Sequence, residues 1–418
     1  MRFFSSFELF MARRMGGKTA SGNRLSRLMT RIAVASVALS ITVMIVAIAV
    51  LSGFQSEIRK KAVDLTGHVI LTNYDSNISF EAAPINVAQA NIPELLKIKG
   101  VQAVRLSATK GGIIKTAENV QGAVLKGINA NADITSFADY LVEGELPVFS
   151  DTATSNSVLV PEALAKRLLL KVGDNFAMYF IQEPPRVRSF VISGLYNAPF
   201  DNVADAIILA DIRHIRRLNG WTSEQAGAVE IFIDDMAHLQ PIAEQIDELM
   251  AYSITEEGRR LKVQTVADLY VQLFDWLNLL DMNVAVILLL TLLVAGFNMV
   301  SGLLILVFEK TAMIGLIKAI GMRNAGVQRI FLYRAAFITL KGMLWGNSIA
   351  IGLCLLQHHF RFIPLNPANY FVDAVPVLLK TWPLIAVNVF GFIGITLLLA
   401  LPVLVISRIS PDKTIKSE

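Results

Sequence analysis

Four long apolar runs decide most of what this 418-residue chain can become. A helix needs about 20 predominantly apolar residues to cross the hydrocarbon of a bilayer. Residues 32–51 and residues 282–308 contain no charged side chain. Residues 335–356 are apolar apart from Lys341, and residues 383–407 are apolar with Asn388 and Pro402 inside. Hydrophobic residues make up 54% of the chain and charged ones 17%. Soluble domains carry about 25% charged residues, so a wholly water-soluble protein is excluded. A disordered chain is excluded too, since disorder needs low hydrophobicity and high net charge. The sequence predicts a membrane protein: four transmembrane helices with a large α+β extracytoplasmic domain between the first and second.

Basic residues set the expected orientation, because short cytoplasmic segments carry excess Lys and Arg. Before the first run stand Arg2, Arg13, Arg14, Lys18, Arg24, Arg27 and Arg31 against Glu8. Between the second and third stand Lys310, Lys318, Arg323, Arg329 and Arg334 against Glu309. Both termini are therefore expected in the cytoplasm of a multi-pass membrane protein. The expected division is a cytoplasmic amphipathic segment 1–31, span 32–53, outer domain with helical stalks 54–275, span 276–308, cytoplasmic segment 309–324, span 325–357, outer loop 358–381, span 382–407 and cytoplasmic tail 408–418. The first run reads as a retained anchor, since its 31-residue basic leader and its length exceed those of a cleavable signal. Phe54 stands where a lipid-attachment cysteine would be, so the chain is not itself a lipoprotein. With Cys354 as its one cysteine, the outer domain folds without an internal disulfide.

Within 54–275, residues 68–72, 187–192, 206–210 and 229–233 read as strands. Residues 161–170 and 241–251 read as helices with proline near their starts. Gly111-Gly112, Gly173-Asp174 and Pro184-Pro185 read as turns. Residues 54–65 extend the first helix outward. Val266, Leu269, Leu273, Leu277 and Leu280 recur at helical spacing toward the second.

Ala12 to Thr19 formally matches a relaxed phosphate loop, but that motif works only between a strand and a helix. Phe3, Phe7 and Phe10 instead suggest an interfacial amphipathic helix with basic ends. His358-His359 lacks a carboxylate at ligand spacing, and no metal site is expected. No catalytic constellation is expected either. Lys341 is expected to snorkel to the inner surface or to face the interior. The segment Glu309 to Gly321 is more informative. Met313, Leu316, Ile317 and Ile320 are expected on one helical face, Lys310 and Lys318 off it, and Gly321 as the C-terminal cap.

That segment resembles the signature of FtsX-like permeases of ABC transporters. Phe297-Asn298, Glu309-Lys310, Ile317-Lys318-Ala319-Ile320-Gly321 and Ile330-Phe331 stand in the family's order. The chain is similar in particular to the lipoprotein-releasing (Lol-type) permeases, with a macrolide-exporter-like periplasmic core domain. The residues that carry this are Phe7 to Arg14, Ser52 to Arg59 with Gly67-His68-Val69, Pro161 to Ala165 with Val172-Gly173-Asp174, and Tyr370 to Val377. Met313 stands where many members carry an acidic residue, and residues 180–187 are short where carrier-binding members extend a hook.

The resemblance implies a non-catalytic transport subunit of the bacterial inner membrane. It would pair with a second permease and dock on a separate ATPase through Glu309, Lys310, Met313, Leu316, Ile317, Lys318 and Gly321. ATP and Mg would belong to that partner, and this chain would bind no cofactor. Glu183, Pro184, Pro185 and Arg186 would form the contact loop for a periplasmic lipoprotein carrier. Membrane lipids are implied as surroundings, and nucleic acid is not implied. The alternatives are a related permease for small-amphiphile export or for regulation of a cell-wall enzyme, and a receptor. For a receptor the tail from Arg408 is too short to hold a signalling domain.

Overall fold

The computed structural model describes residues 6–14, 24–74, 81, 83–130, 132–150, 152–198, 204–251, 261–366 and 370–405. They form two compact units: a helical one, residues 1–56, 276–365 and 372–418, and an α+β one, residues 57–275 with 366–371.

The helical unit is built from α1 (Ser6–Arg14), α2 (Arg24–Thr66), α8 (Val271–Glu309), α9 (Thr311–Ala319), α10 (Asn324–Phe360) and α11 (Thr381–Val405). Four of these, α2, α8, α10 and α11, contain stretches long and apolar enough to cross a membrane. At 1.5 Å per residue, the 43 residues of α2 run about 65 Å, roughly twice the hydrocarbon thickness. Its apolar centre is one span, and its remainder continues into the α+β unit. Val37, Ile41, Met299, Leu303, Ile314, Phe331, Ala335 and Ile395 are buried in a shared core.

Because hydrocarbon surrounds such a bundle, close packing and interhelical hydrogen bonds hold it rather than a hydrophobic force. On α10, a Cβ on Gly342 would lie 2.6 Å from that of Val37, and one on Gly346 2.7 Å from the Ala38 carbonyl oxygen. Two small residues one turn apart thus let α2 and α10 touch backbone to backbone. The Thr42 hydroxyl donates across this seam to the Gly346 carbonyl, 3.1 Å. Asn347 and Asn388 exchange amide hydrogen bonds of 2.7 and 2.9 Å between α10 and α11. Lys341 lies on the exposed side of α10 rather than in the bundle core.

The other unit is organised around a ten-stranded sheet. In chain order its elements are β1 (Val69–Asn73), β2 (Ile85–Asn86), α3 (Ile92–Leu95), β3 (Val101–Lys115), β4 (Val120–Ile128), β5 (Leu141–Gly144), β6 (Ser157–Pro161), α4 (Glu162–Leu168), β7 (Asn175–Phe180), β8 (Arg186–Tyr196), β9 (Ile207–Asp211), α5 (Ile212–Asn219), β10 (Gln225–Ala226), β11 (Ala228–Ile233), α6 (Leu239–Met250), β12 (Leu261–Thr265) and α7 (Val266–Leu269). The sheet runs β12-β1-β11-β3-β4-β9-β6-β8-β5, with β7 bridging β3 and β8, while β2 and β10 pair separately. One core packs α4 and α5 on the central strands through Leu164, Leu168, Ile215 and Phe190. A second packs α6 on β1, β11 and β12 through Leu71, Ile231, Ile242 and Ile246.

Gly111-Gly112 is not the expected turn, for both residues lie inside β3. Beside them β7 pairs antiparallel with β3, Ile113 opposite Tyr179 and Ile114 opposite Met178. A Cβ on Gly112 would meet the Met178 side chain at 2.7 Å and the Tyr179 carbonyl at 3.0 Å. Glycine serves a close approach of the neighbouring strand here, not a reversal. Pro161 likewise ends β6, and the helix begins one residue later.

Candidate functional site

The segment after α8 folds as the short helix α9, set off from α8 by Lys310 alone. Its C-terminal end is closed by two paired hydrogen bonds. The Met322 N–H donates to the Ile317 carbonyl (3.2 Å) and the Gly321 N–H to the Lys318 carbonyl (3.0 Å). This double closure requires a left-handed residue at the cap, and Gly321 supplies it with φ of 103°. Met322 and Ile317, the residues flanking the closure, both pack on the bundle core.

Burial divides the apolar residues of α9 into two edges. Ile314 and Gly315 are buried, and Ile314 joins the bundle core. Ile317 is partly buried on that core and Met313 half-buried. Leu316 is 61% exposed and Ile320 79% exposed. The helix therefore has an inner edge, centred on Ile314, and an apolar outer edge, Leu316 and Ile320. Glu309, the last residue of α8, is mostly buried and meets Lys310 at 3.3 Å. Its other carboxylate oxygen has no hydrogen-bond donor among the described residues.

Helix α1 lies against α10, with Phe7 and Phe10 exposed. Glu8 is buried, 3.7 Å from Arg329, and the Arg13 guanidinium sits 5.6 Å above the Phe337 ring. Of the phosphate-loop look-alike, Ala12 to Arg14 end α1, while Phe3 and residues 15–19 lie outside the described residues.

Glu183, Pro184, Pro185 and Arg186 come together in the tight connection from β7 to β8. Arg186 donates to the Arg217 carbonyl (2.9 Å) and Gln182 to the Leu218 carbonyl (3.2 Å), tying this loop to the end of α5. Ile181 beside it is 76% exposed. Among the described residues no group of three or more His, Cys, Asp or Glu side chains is placed to hold a metal.

A buried charge cluster escaped the sequence reading. Arg105 on β3, Lys126 on β4 and Glu230 on β11 are each at most 6% exposed. Arg105 Nε donates to Glu230 Oε2 at 2.6 Å, and Lys126 Nζ lies 2.6 Å from Oε1. The Ser107 hydroxyl donates to the same Oε1 at 2.7 Å. Burial alone would raise the Glu230 pKa, but the two cations and Ser107 outweigh it and hold the carboxyl at about 2. Burial pushes the Lys126 ammonium down, only partly offset by Glu230. A signal was present: Glu230 is the one charged residue in the apolar strand Ala228–Ile233.

Two family models match the chain. The MacB-like periplasmic core domain matches residues 30–249, and the FtsX-like permease C-terminal domain matches residues 285–411. The chain is an FtsX-like permease with a MacB-like periplasmic core domain. The permease thus belongs to the ABC transporter permeases. It is 22% identical to the lipoprotein-releasing system transmembrane protein LolC of Xylella fastidiosa strain 9a5c, over 91% of its own length and 92% of that protein's. It is 24% identical to the LolC of Neisseria meningitidis serogroup B, over 85% and 86%. The crystal structure of the periplasmic region of MacB from Actinobacillus actinomycetemcomitans aligns over 49% of the permease and 91% of that region, with a TM-score of 0.33 and 13% identity.

Proposed function

We propose that the permease is the transmembrane subunit of an inner-membrane transporter that releases lipoproteins toward the outer membrane, driven by ATP hydrolysis on a separate subunit. The observation that carries this is end-to-end similarity to LolC proteins, over 91% of this chain and 92% of the Xylella relative. In this reading α9 docks the ATPase through its exposed Leu316 and Ile320, an apolar edge suited to a partner's groove. Glu309, Lys310, Met313, Ile317, Lys318 and Gly321 shape and orient that edge. ATP and magnesium are the ATPase's own. A second permease completes the complex, both termini lie in the cytoplasm as the basic residues require, and the α+β unit faces outward. A periplasmic carrier would meet the Glu183 to Arg186 loop beside exposed Ile181.

The loop's brevity and its attachment to α5 favour a second reading, in which no carrier docks and the same machinery exports a small amphiphile or regulates a cell-wall enzyme. Depletion of the permease followed by membrane fractionation separates the two. Lipoproteins retained in the inner membrane are expected; normal outer-membrane delivery during depletion overturns lipoprotein release and leaves the second reading.

A further inference from the structure

Within the helical unit, a groove runs between α2 and the start of α11. Ile45, Ile48 and Ala49 line it from α2, Leu384 and Val387 line it from α11, and Lys380 stands just before α11 at its end. Among the described lining residues Lys380 alone is charged, and it is exposed.

The local sequence builds this arrangement. Gly53 lies one turn beyond Ala49 on α2. A Cβ there would fall 2.4 Å from the Pro376 carbonyl oxygen. Without one, the chain at Pro376 lies directly on α2, and the Leu378 N–H donates to the Ala49 carbonyl at 3.0 Å. That bond seats the backbone two residues before Lys380, and α11 begins at Thr381. The lysine is therefore held at the end of the apolar groove.

Both walls belong to spans, so the groove meets hydrocarbon rather than water. An apolar groove between two spans takes up an acyl chain. What meets the headgroup then decides which lipid stays. A lysine near a helix end carries its ammonium to the interface, and the exposed Trp382 beside it is the residue type that marks headgroup depth. Residues 358–381 hold Arg361 and Lys380 against Asp373. The inward bias of basic residues gives no reason for a lysine on this side; an anionic headgroup does. A zwitterionic lipid brings an ammonium of its own, and no described lining residue is acidic.

We propose that the groove between α2 and α11 is a binding site for one anionic phospholipid, with its phosphate paired to Lys380 and an acyl chain along Ile45, Ile48 and Val387. The bound lipid braces the start of α11 against α2. Its place in the outer leaflet rests on the orientation read from the basic residues. The site itself does not, for an inverted topology would move it to the other leaflet with the same ligand.

The test titrates the purified full-length permease with dioleoyl phosphatidylglycerol, followed by native mass spectrometry and thermal melting. A single tightly held copy per chain is expected, with a melting temperature that rises with lipid concentration. Dioleoylglycerol has the same chains and no phosphate. It and dioleoyl phosphatidylethanolamine should each bind about fivefold more weakly, the factor one lysine contributes beside an anionic headgroup. Lys380→Gln should lose about the same factor for phosphatidylglycerol and leave dioleoylglycerol unchanged. Lys380→Arg should stay within about twofold of the parent. So should Arg361→Gln, which removes the other cation of the segment. Ile48→Trp fills the groove with the charge in place and should weaken all three lipids. Unchanged phosphatidylglycerol binding by Lys380→Gln overturns the proposal, as does equal retention of the three lipids by the parent. Equal losses in Lys380→Gln and Arg361→Gln also overturn it, assigning the effect to net surface charge. If Ile48→Trp fails to fold, the exposed Lys380 series still decides.

Discussion

His68 and Glu230 give the α+β unit two separate windows of acid sensitivity. His68 Nδ1 accepts a hydrogen bond from the Ile233 N–H at 3.1 Å, which only the neutral ring can do. Burial holds its pKa down to about 4, with Asp234 pulling weakly the other way. The unfolded chain takes up that proton near pH 6.5, so it binds more protons between pH 6.5 and 4, and stability falls as pH drops through this range. Glu230 follows at lower pH. Its carboxyl sits at about 2 in the folded state, so its stabilisation is complete above the unfolded value of about 4.3 and is lost as pH falls from there toward 2. A shift of this size corresponds to on the order of 3 kcal/mol, the order expected for a carboxylate held between two buried cations. Thermal melting of the purified permease, followed by the β-sheet circular dichroism signal, should therefore decline in two steps. His68→Gln should flatten the step between pH 6.5 and 4 and leave the lower one in place. An unchanged upper step in that variant assigns it to other groups.

The element that separates sequence from structure most clearly is α9. Its existence and its glycine cap were legible, because a short apolar repeat ending in Ile320-Gly321 between basic residues has few other meanings. Its rotation was not, since a nine-residue helix offers too few turns for periodicity to tell an inner edge from an outer one. Ile314 was missed for that reason, although it lies in the bundle core. The consequence is a contrast between neighbours. Ile314→Asp places a charge in the core and should cost about 3 kcal/mol or more, visible as loss of folded permease from the membrane. Leu316→Asp changes an exposed site, so melting should move by no more than about 0.5 kcal/mol while co-purification with the ATPase is lost. Equal ATPase binding by Leu316→Asp and the parent would remove α9 as the docking element. Gly321→Val tests the cap alone. Space around its Cβ is open, so only the φ of 103° resists the change, at about 1–2 kcal/mol for an L-residue. The permease should insert yet bind the ATPase more weakly. The outer strands were legible wherever β-branched residues clustered, as in residues 229–233. The long strand β3 was broken by expectation at Gly111-Gly112, because glycine pairs mark turns more often than close contacts between paired strands. Of the Arg105–Lys126–Glu230 cluster only Glu230 left a signal, as the lone charge of an apolar strand; its partners are distant in sequence and meet it only through strand pairing.

For the whole molecule, the decisive expectation is orientation. Protease added to spheroplasts should cut within 54–275 and spare a tag at the C-terminus, as the basic residues flanking the spans require; removal of the tag from outside would reverse the assignment. The order of the sheet has a consequence of a different kind. Strand β1 pairs with β11 and with β12, so one of the first strands to leave the ribosome waits for two of the last. At 5–20 residues per second, the chain between them takes on the order of 10–40 s to make. Throughout that interval the edges of β1 and β3 that await β11 are bare, the condition in which strands recruit wrong partners. The sheet cannot close until β12 arrives, and α8 follows β12 with only α7 and Tyr270 between. Completion of the sheet and insertion of the second span are therefore neighbouring events in time, and a delay in synthesis before residue 261 should burden the cell's quality-control proteases more than the same delay after it.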